Sequence, residues 1–277
     1  MQQTYHFTIG ELTLAALSNS ANIQQPVLCL HGWLDNAASF IPLAQQLPQL
    51  PLLAVDFPGH GYSSHRSNGA YYYFFDWVQD LVSLCRAQQW QGLTVIGHSM
   101  GAMVATALAA SFPELVSRLV LIDSLGFVTD SAEHAATQLR QGIISRLKPT
   151  SRQPLYPTLQ DAAIARQKQS DFSLHEAKLL AERGTMQNEQ GVSWRADMRL
   201  RHSSVYRMTV EQANALCAAV RCPVLSLLAT DSHFYHDTKD RAGHYPQLTM
   251  HRLTGGHHCH MTQPQQVAQY ICDFLQI

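Results

Sequence analysis

LTVIGHSMGAMVATALAA, residues 93–110, decides the reading of this chain. LTVI (93–96) is an apolar run of strand length, and AMVATALAA (102–110) is built of helix formers. Between them GHSMG (97–101) reverses the chain sharply from strand to helix. Ser99 at the apex of such a turn sits in a strained conformation with its Oγ exposed. Gly97 and Gly101 let strand and helix pass close together. A bare G-x-S-x-G occurs in many turns; the strand before it and the helix after it make this one a nucleophile elbow. The plain alternative is a glycine-rich turn without chemistry.

Working outward, PVLCL (26–30), LLAVDF (52–57), RLVLID (118–123), PVLSLLA (223–229) and LTMHRLTG (248–255) read as further strands. Helices are expected over 36–47, 74–90 and PQQVAQYICDFL (264–275), the last with Pro264 in its first turn. Strands alternating with helices at these spacings predict right-handed βαβ units and a mostly parallel sheet. TYHFTIGELTLAALS (4–18) alternates and turns at Gly10-Glu11, an opening antiparallel hairpin.

Residues 125–220 break the strand rhythm. They are rich in Gln, Arg, Ser and Ala and carry no continuous apolar strand run. ATQLRQGIISRL (136–147) and LHEAKLLAER (174–183) are amphipathic helices, and KPTSRQPLYPT (148–158) is a proline-punctuated connection. The expected organisation is a core over 1–124, a helical cap over 125–220 above the carboxyl edge of the sheet, and a second core segment over 221–277.

The chain has 277 residues, a formal net charge of -1 and only 14% charged residues. That balance gives no nucleic-acid footprint and no polybasic membrane patch. The modest cluster RADMRLRHSSVYR (195–207) reads as a solvated face. The first ten residues lack a signal-peptide pattern, and no 18-residue apolar stretch exists. The six cysteines are scattered, as in a reduced, cytoplasmic protein. No signal for an oligomeric state is present.

A serine hydroxyl needs a base within hydrogen-bond reach and a third group that orients the base. The base is expected in the loop after the last strand, GGHHCHM (255–261). His257 follows the glycine pair and lies seven residues before Pro264; it is the choice, with His258 and His260 in supporting or structural roles. A metal reading of H-H-x-H is disfavoured, because one loop cannot easily turn three rings onto one ion. The acid is Asp123 or Asp231, both at carboxyl ends of strands, where open α/β sheets build their sites. The plain alternatives are capping roles for each. The oxyanion hole needs two backbone donors. The N–H of Met100 follows the nucleophile, and the N–H of Trp33 lies in HGWLDN (31–36), where Gly32 permits a tight approach.

Taken together, HGW (31–33), DFPGHGYSS (56–64), GHSMG, RLVLID and GGHHCHM with Pro264 resemble the α/β-hydrolase superfamily over essentially the whole chain. Within it the chain is most similar to the serine hydrolase-like group. The resemblance implies the eight-stranded fold with a helical cap, Ser99 and His257 as nucleophile and base, and Met100 and Trp33 as oxyanion donors. One departure matters. The superfamily's usual acid stands in a G-x-x-D pattern after the seventh strand, but here Ala229 holds the Gly position and Ser232 the Asp position, with Asp231 one residue early. Some members, haloalkane dehalogenases among them, place the acid at the end of strand six, where Asp123 falls. The reading therefore leans to Asp123. DFPGHGYSS is taken as structural.

The expected function is hydrolysis of a small-molecule carboxylic ester, with no metal or organic cofactor. The rivals are thioester, lactone or C–C hydrolysis or perhydrolysis on the same triad, and a non-catalytic binding protein on the same fold.

Overall fold

The structure, a computed structural model, describes Met1 and residues 3–148, 153–232 and 239–277. Residues 149–152 of the proline-punctuated connection lie outside the described residues. β1 (Gln3–Ile9) and β2 (Leu12–Ser18) form the opening hairpin, with Ile9 opposite Leu12. β3 (Val27–Leu30) leads through a 3₁₀ turn, Ala37–Phe40, into α1 (Ile41–Gln46). β4 (Leu52–Val55), α2 (Phe74–Gln88), β5 (Leu93–His98), α3 (Met100–Ser111) and β6 (Val116–Ile122) continue the alternation. The insertion holds α4 (Ala135–Leu147), β7 (Leu155–Tyr156), α5 (Leu159–Gln167), α6 (Leu174–Gly184), β8 (Thr185–Asn188), β9 (Gly191–Trp194) and α7 (Val210–Ala219). β10 (Val224–Ala229), β11 (Leu248–Leu253), α8 (Cys259–Thr262) and α9 (Pro264–Leu275) complete the chain.

The large sheet has eight strands in the order β1-β2-β4-β3-β5-β6-β10-β11. Only the β1–β2 and β2–β4 pairs are antiparallel; the other pairs run parallel. Parallel strands covered on both faces carry apolar side chains on both, which is why β3 and β4 are buried at every position. One face packs on α2 and α3 through Leu81, Val104 and Leu108. The other packs on α1 and α9 through Phe40, Leu43, Val267 and Ile271. β5 lies inside the sheet between β3 and β6, so its carboxyl end opens above the middle of the molecule.

Among the described residues the insertion adds no strand to this sheet. It contains its own antiparallel sheet, β7-β9-β8, which the absence of long apolar runs did not lead one to expect. Its apolar centre joins Ala163, Phe172, Ala177 and Leu180 to Met261 from the loop after β11. α7 instead packs on the core, with Ala213 and Cys217 in the α2–α3 layer.

The elbow rests on close backbone contacts. A Cβ built on Gly101 would stand 2.1 Å from the carbonyl oxygen of Leu30, and one on Gly97 2.6 Å from the backbone of Ala102. Neither neighbour is a flexible side chain. Gly101→Ala is therefore expected to destabilise the protein by about 3 kcal/mol, the upper range for forced overpacking. Urea denaturation checks this; an unchanged midpoint would mean that α3 is free to move off β3.

Candidate active site

Ser99 is held at φ 52 and ψ -118, a region that non-glycine residues rarely occupy and that costs about 1–3 kcal/mol. Its N–H donates to the carbonyl of Ile122, and its carbonyl accepts from Ala102 and Met103, so strand, turn and helix share one peptide network. His257 stands over it. His257 Nε2 lies 2.9 Å from Ser99 Oγ, and Nδ1 lies 2.6 Å from Asp123 Oδ2. A carboxylate can only accept, so Nδ1 carries the proton and Nε2 is left to accept from the serine.

Asp123 is fully buried. It leaves β6 at φ 48, which turns its side chain across the end of β10. There Oδ1 accepts from the N–H of Ala229 at 2.9 Å, while the Asp123 N–H donates to Leu227 at 2.7 Å. Asp231 is exposed, and its hydrogen bonds are local: its N–H donates to Gly255 and its Oδ1 accepts from Thr230 Oγ1. The structure thus brings Ser99, His257 and Asp123 together and leaves Asp231 outside the group.

The HGWLDN loop is pinned by two histidines. His31 Nε2 accepts from the N–H of Phe57, so its Nδ1–H donates to the carbonyl of Gly32 at 2.7 Å. That carbonyl also accepts from Asp35 N–H, so both bonds fix the peptide that bears the Trp33 N–H. His60 Nε2 accepts from Leu34 N–H. Burial lowers His31 to about 4 and His60 to about 3, which keeps both rings neutral and able to accept. The Met100 N–H opens α3, where helix N–H groups have no partner within the helix. The Trp33 indole donates to Leu200 in the insertion at 3.1 Å.

His98, the residue before Ser99, was not singled out from sequence. Its Nε2–H donates to the carbonyl of His257 at 2.8 Å, so it holds the backbone of that residue. Burial keeps its pKa well below the ordinary value. His260 is wholly buried beside it, with ring centroids 4.2 Å apart, and burial lowers it to about 3. His258 differs. Burial would depress it, but Asp35 at 3.5 Å and Asp171, bonded to its Nδ1, outweigh burial and raise it to about 9. No group of three or more His, Cys, Asp or Glu side chains that could hold a metal ion occurs among the described residues.

The insertion is tied to the core by charge. Arg183 of α6 pairs with Asp56 at 2.8 Å, both buried. Asp56 also accepts from the N–H groups of Ala37 and Tyr62, which gives DFPGHGYSS its structural role. Arg166 of α5 pairs with Asp35 at 2.7 Å, and Asn36 donates to the carbonyl of Leu180. Between core and insertion lies a cleft of about 1120 Å³, lined by Ser99, His257, Trp33 and Met100 from the core and by Tyr156, Trp194 and several arginines from the insertion.

Residues 25–264 match the family model described as alpha/beta hydrolase fold. The chain belongs to the α/β-hydrolase family. A serine hydrolase-like protein of Danio rerio is 34% identical over 269 residues, covering 91% of this chain and 82% of that protein. A hypothetical protein from Pseudomonas aeruginosa PAO1 is similar in structure, with a TM-score of 0.93, 35% identity and 99% of each chain covered. The thioesterase domain from the curacin biosynthetic pathway follows with a TM-score of 0.86, 25% identity, 98% of this chain and 99% of that one. The protein is thus a hydrolase of this family, within its serine hydrolase-like group. Among the described residues no helix is long and apolar enough to cross a membrane.

The charged His258 has a consequence for stability. Its folded pKa, about 9, lies above the ordinary 6.5, so its contribution is complete below about pH 6.5 and is lost as pH rises through 9. Of the other groups facing it, Asp35, which pairs with Arg166, and Asp171 are held below the ordinary carboxylate value and titrate in acid, and burial keeps His98 and His260 neutral. Urea midpoints are expected to fall between about pH 6 and pH 9.5 in the wild type, and His258→Gln is expected to remove most of that slope. Equal slopes in the two proteins would contradict the charge assigned to His258.

Proposed function

We propose that the protein hydrolyses a carboxylic ester through an acyl-enzyme on Ser99. The observation that carries this reading is the unbroken chain Asp123 Oδ2, His257 Nδ1 and Nε2, Ser99 Oγ, at 2.6 and 2.9 Å. His257 Nε2 takes the hydroxyl proton as Ser99 Oγ attacks the acyl carbon. The carbonyl π pair moves onto oxygen, and the oxyanion is met by the N–H groups of Met100 and Trp33. As the tetrahedral centre collapses, His257 returns the proton to the departing alkoxide. A water then attacks the acyl-enzyme, giving its proton to His257. Ser99 leaves with that proton and the carboxylic acid is released. Asp123 accepts from Nδ1 throughout and stabilises the imidazolium that forms.

A thioester is the second substrate class that we consider. The observation that favours it is the structural likeness to a thioesterase domain over nearly the whole chain. The same steps apply, with a thiolate as the leaving group.

Labelling with a fluorophosphonate, read by mass spectrometry, tests the nucleophile directly: the adduct is expected on Ser99. Ser99→Ala and His257→Ala are each expected to fold like the wild type and to lose several orders of magnitude in kcat on p-nitrophenyl acetate. Wild-type-like turnover by either variant would end this reading.

Asp123→Asn should keep the geometry but favour the wrong imidazole tautomer, lowering kcat by about 10⁴, the size of the effect in serine proteases. Asp231→Asn is expected to stay within about twofold of wild type, since an exposed side chain with local bonds has no path to the imidazole. The same assay checks both, and the opposite ranking would move the acid to the end of β10.

A further inference from the structure

The basic segment 195–207 reads in the sequence as a solvated face, but the structure turns part of it into the cleft. Five arginines line that cleft, Arg146, Arg166, Arg199, Arg201 and Arg207, against one carboxylate, Asp35. Two of the five are spent. Arg166 pairs with Asp35. Arg199 binds both oxygens of Asp197 and the carbonyls of Arg66, Ser67 and Ala70. Arg146, Arg201 and Arg207 have no carboxylate within ion-pair distance among the described residues. Three uncompensated cations facing one cleft stand out in a chain of net charge -1.

Arg146 is also the best prepared of them. Its guanidinium lies 4.1 Å from the ring centroid of Tyr71 and 4.7 Å from that of Tyr73, and Nη1 donates to Tyr73 Oη at 2.9 Å. Its Nε–H is buried and finds no acceptor, an unmet donor on a side chain that reaches the cleft. The wall that carries these cations is braced. Gly142 of α4 sits against Val205, Ser145 Oγ accepts from the N–H of Ser203 at 3.0 Å, and Gln138 donates to the carbonyl of Ser204. Arg146 and the segment bearing Arg201 and Arg207 are therefore held in one frame. Asp130, the carboxylate that the charge of Arg207 reaches, is already engaged with His134 at 2.8 Å. A planar, stacked guanidinium with a spare donor suits an oxyanion, which can accept two parallel N–H bonds.

We propose that the insertion wall is an anion subsite, and that the substrate is an ester or thioester carrying a carboxylate or phosphate group bound by Arg146, Arg201 and Arg207. This rests on the ester-hydrolase reading above and adds the chemistry of the substrate's distal end. The anion can sit on the acyl group or on the leaving group, and the two are separable.

Two matched pairs test the subsite: p-nitrophenyl butyrate against the mono-p-nitrophenyl ester of glutaric acid, and butyryl-N-acetylcysteamine against butyryl-coenzyme A. At low ionic strength the anionic member of at least one pair is expected to exceed its neutral partner about tenfold or more in kcat/KM, and the first or second pair identifies the acyl or the leaving side. Arg146→Gln and Arg201→Gln should each lower that ratio about tenfold, mainly through KM, and added salt should erode it. Arg86→Gln, an exposed charge on α2 outside the cleft, should leave it unchanged. Ratios within twofold of one in both pairs, or a preference that persists in the cleft variants, would overturn the subsite while leaving the hydrolase reading intact. If none of the four is turned over and Ser99 takes no fluorophosphonate, the hydrolase reading fails instead. The subsite is then read without turnover, by calorimetric titration of Ser99→Ala with glutarate and with coenzyme A. Binding that is lost on adding Arg146→Gln supports it; no binding of either overturns it.

Discussion

The site depends on one buried carboxylate. Asp123 is removed from water on all sides, and an ion so placed is tolerated only when its oxygens are occupied. One oxygen takes the Ala229 N–H and locks the ends of β6 and β10 together; the other takes Nδ1–H of His257. The second bond decides which imidazole nitrogen is bare, and so which one faces Ser99. The first holds the carboxylate to the sheet independently of the loop that carries the ring. His98 adds a hold on the other side of the base, through the carbonyl of His257. The imidazole is thus fixed at its backbone and at its ring by groups that belong to the core sheet.

The histidines around this point divide by protonation. His31 and His60 act through Nε2 atoms that accept, which requires a neutral ring, whereas His98 acts through an Nε2–H that donates; burial keeps all three rings neutral. His258 acts as a cation between Asp35 and Asp171, and the two carboxylates keep it charged. A change of pH across the neutral range therefore leaves the folded-state protonation of both sets in place.

Much of the fold was legible because its signals are local. The elbow at 97–101 carries strand, turn and helix in consecutive residues, and the buried parallel strands announce themselves as apolar runs. Asp123 and Asp231 could only be ranked, because the choice turns on a left-handed backbone at Asp123 that swings its side chain over β10, and no composition encodes that. The insertion was the least legible part. Its strands span two to four residues with exposed positions, too short for a period to show. α5 and α7 were missed, although Thr158 with Asp161 and Thr209 with Gln212 form capping boxes that mark both starts. The roles of His31, His60, His98 and His258 come from partners tens of residues away, which a single sequence does not pair. The basic segment reads in the sequence as a solvated face, and Arg201 and Arg207 are exposed, but they also line the cleft, which charge alone does not reveal.

The insertion is fastened to the core by Arg183 on Asp56 and Arg166 on Asp35, and those carboxylates sit in the loops that shape the Trp33 peptide and its support. Such latches make the two parts poor candidates for free exchange. An insertion transplanted from a relative lacking either arginine would strip a buried carboxylate of its guanidinium partner beneath the site, and the damage would reach the loops below as well as the cleft. Divergence in this architecture is channelled accordingly. The latched surface of the insertion, together with Arg199, Leu200 and Arg146, which also bond core groups, must stay in step with the core, so substrate range can change most easily at cleft positions outside these bonds.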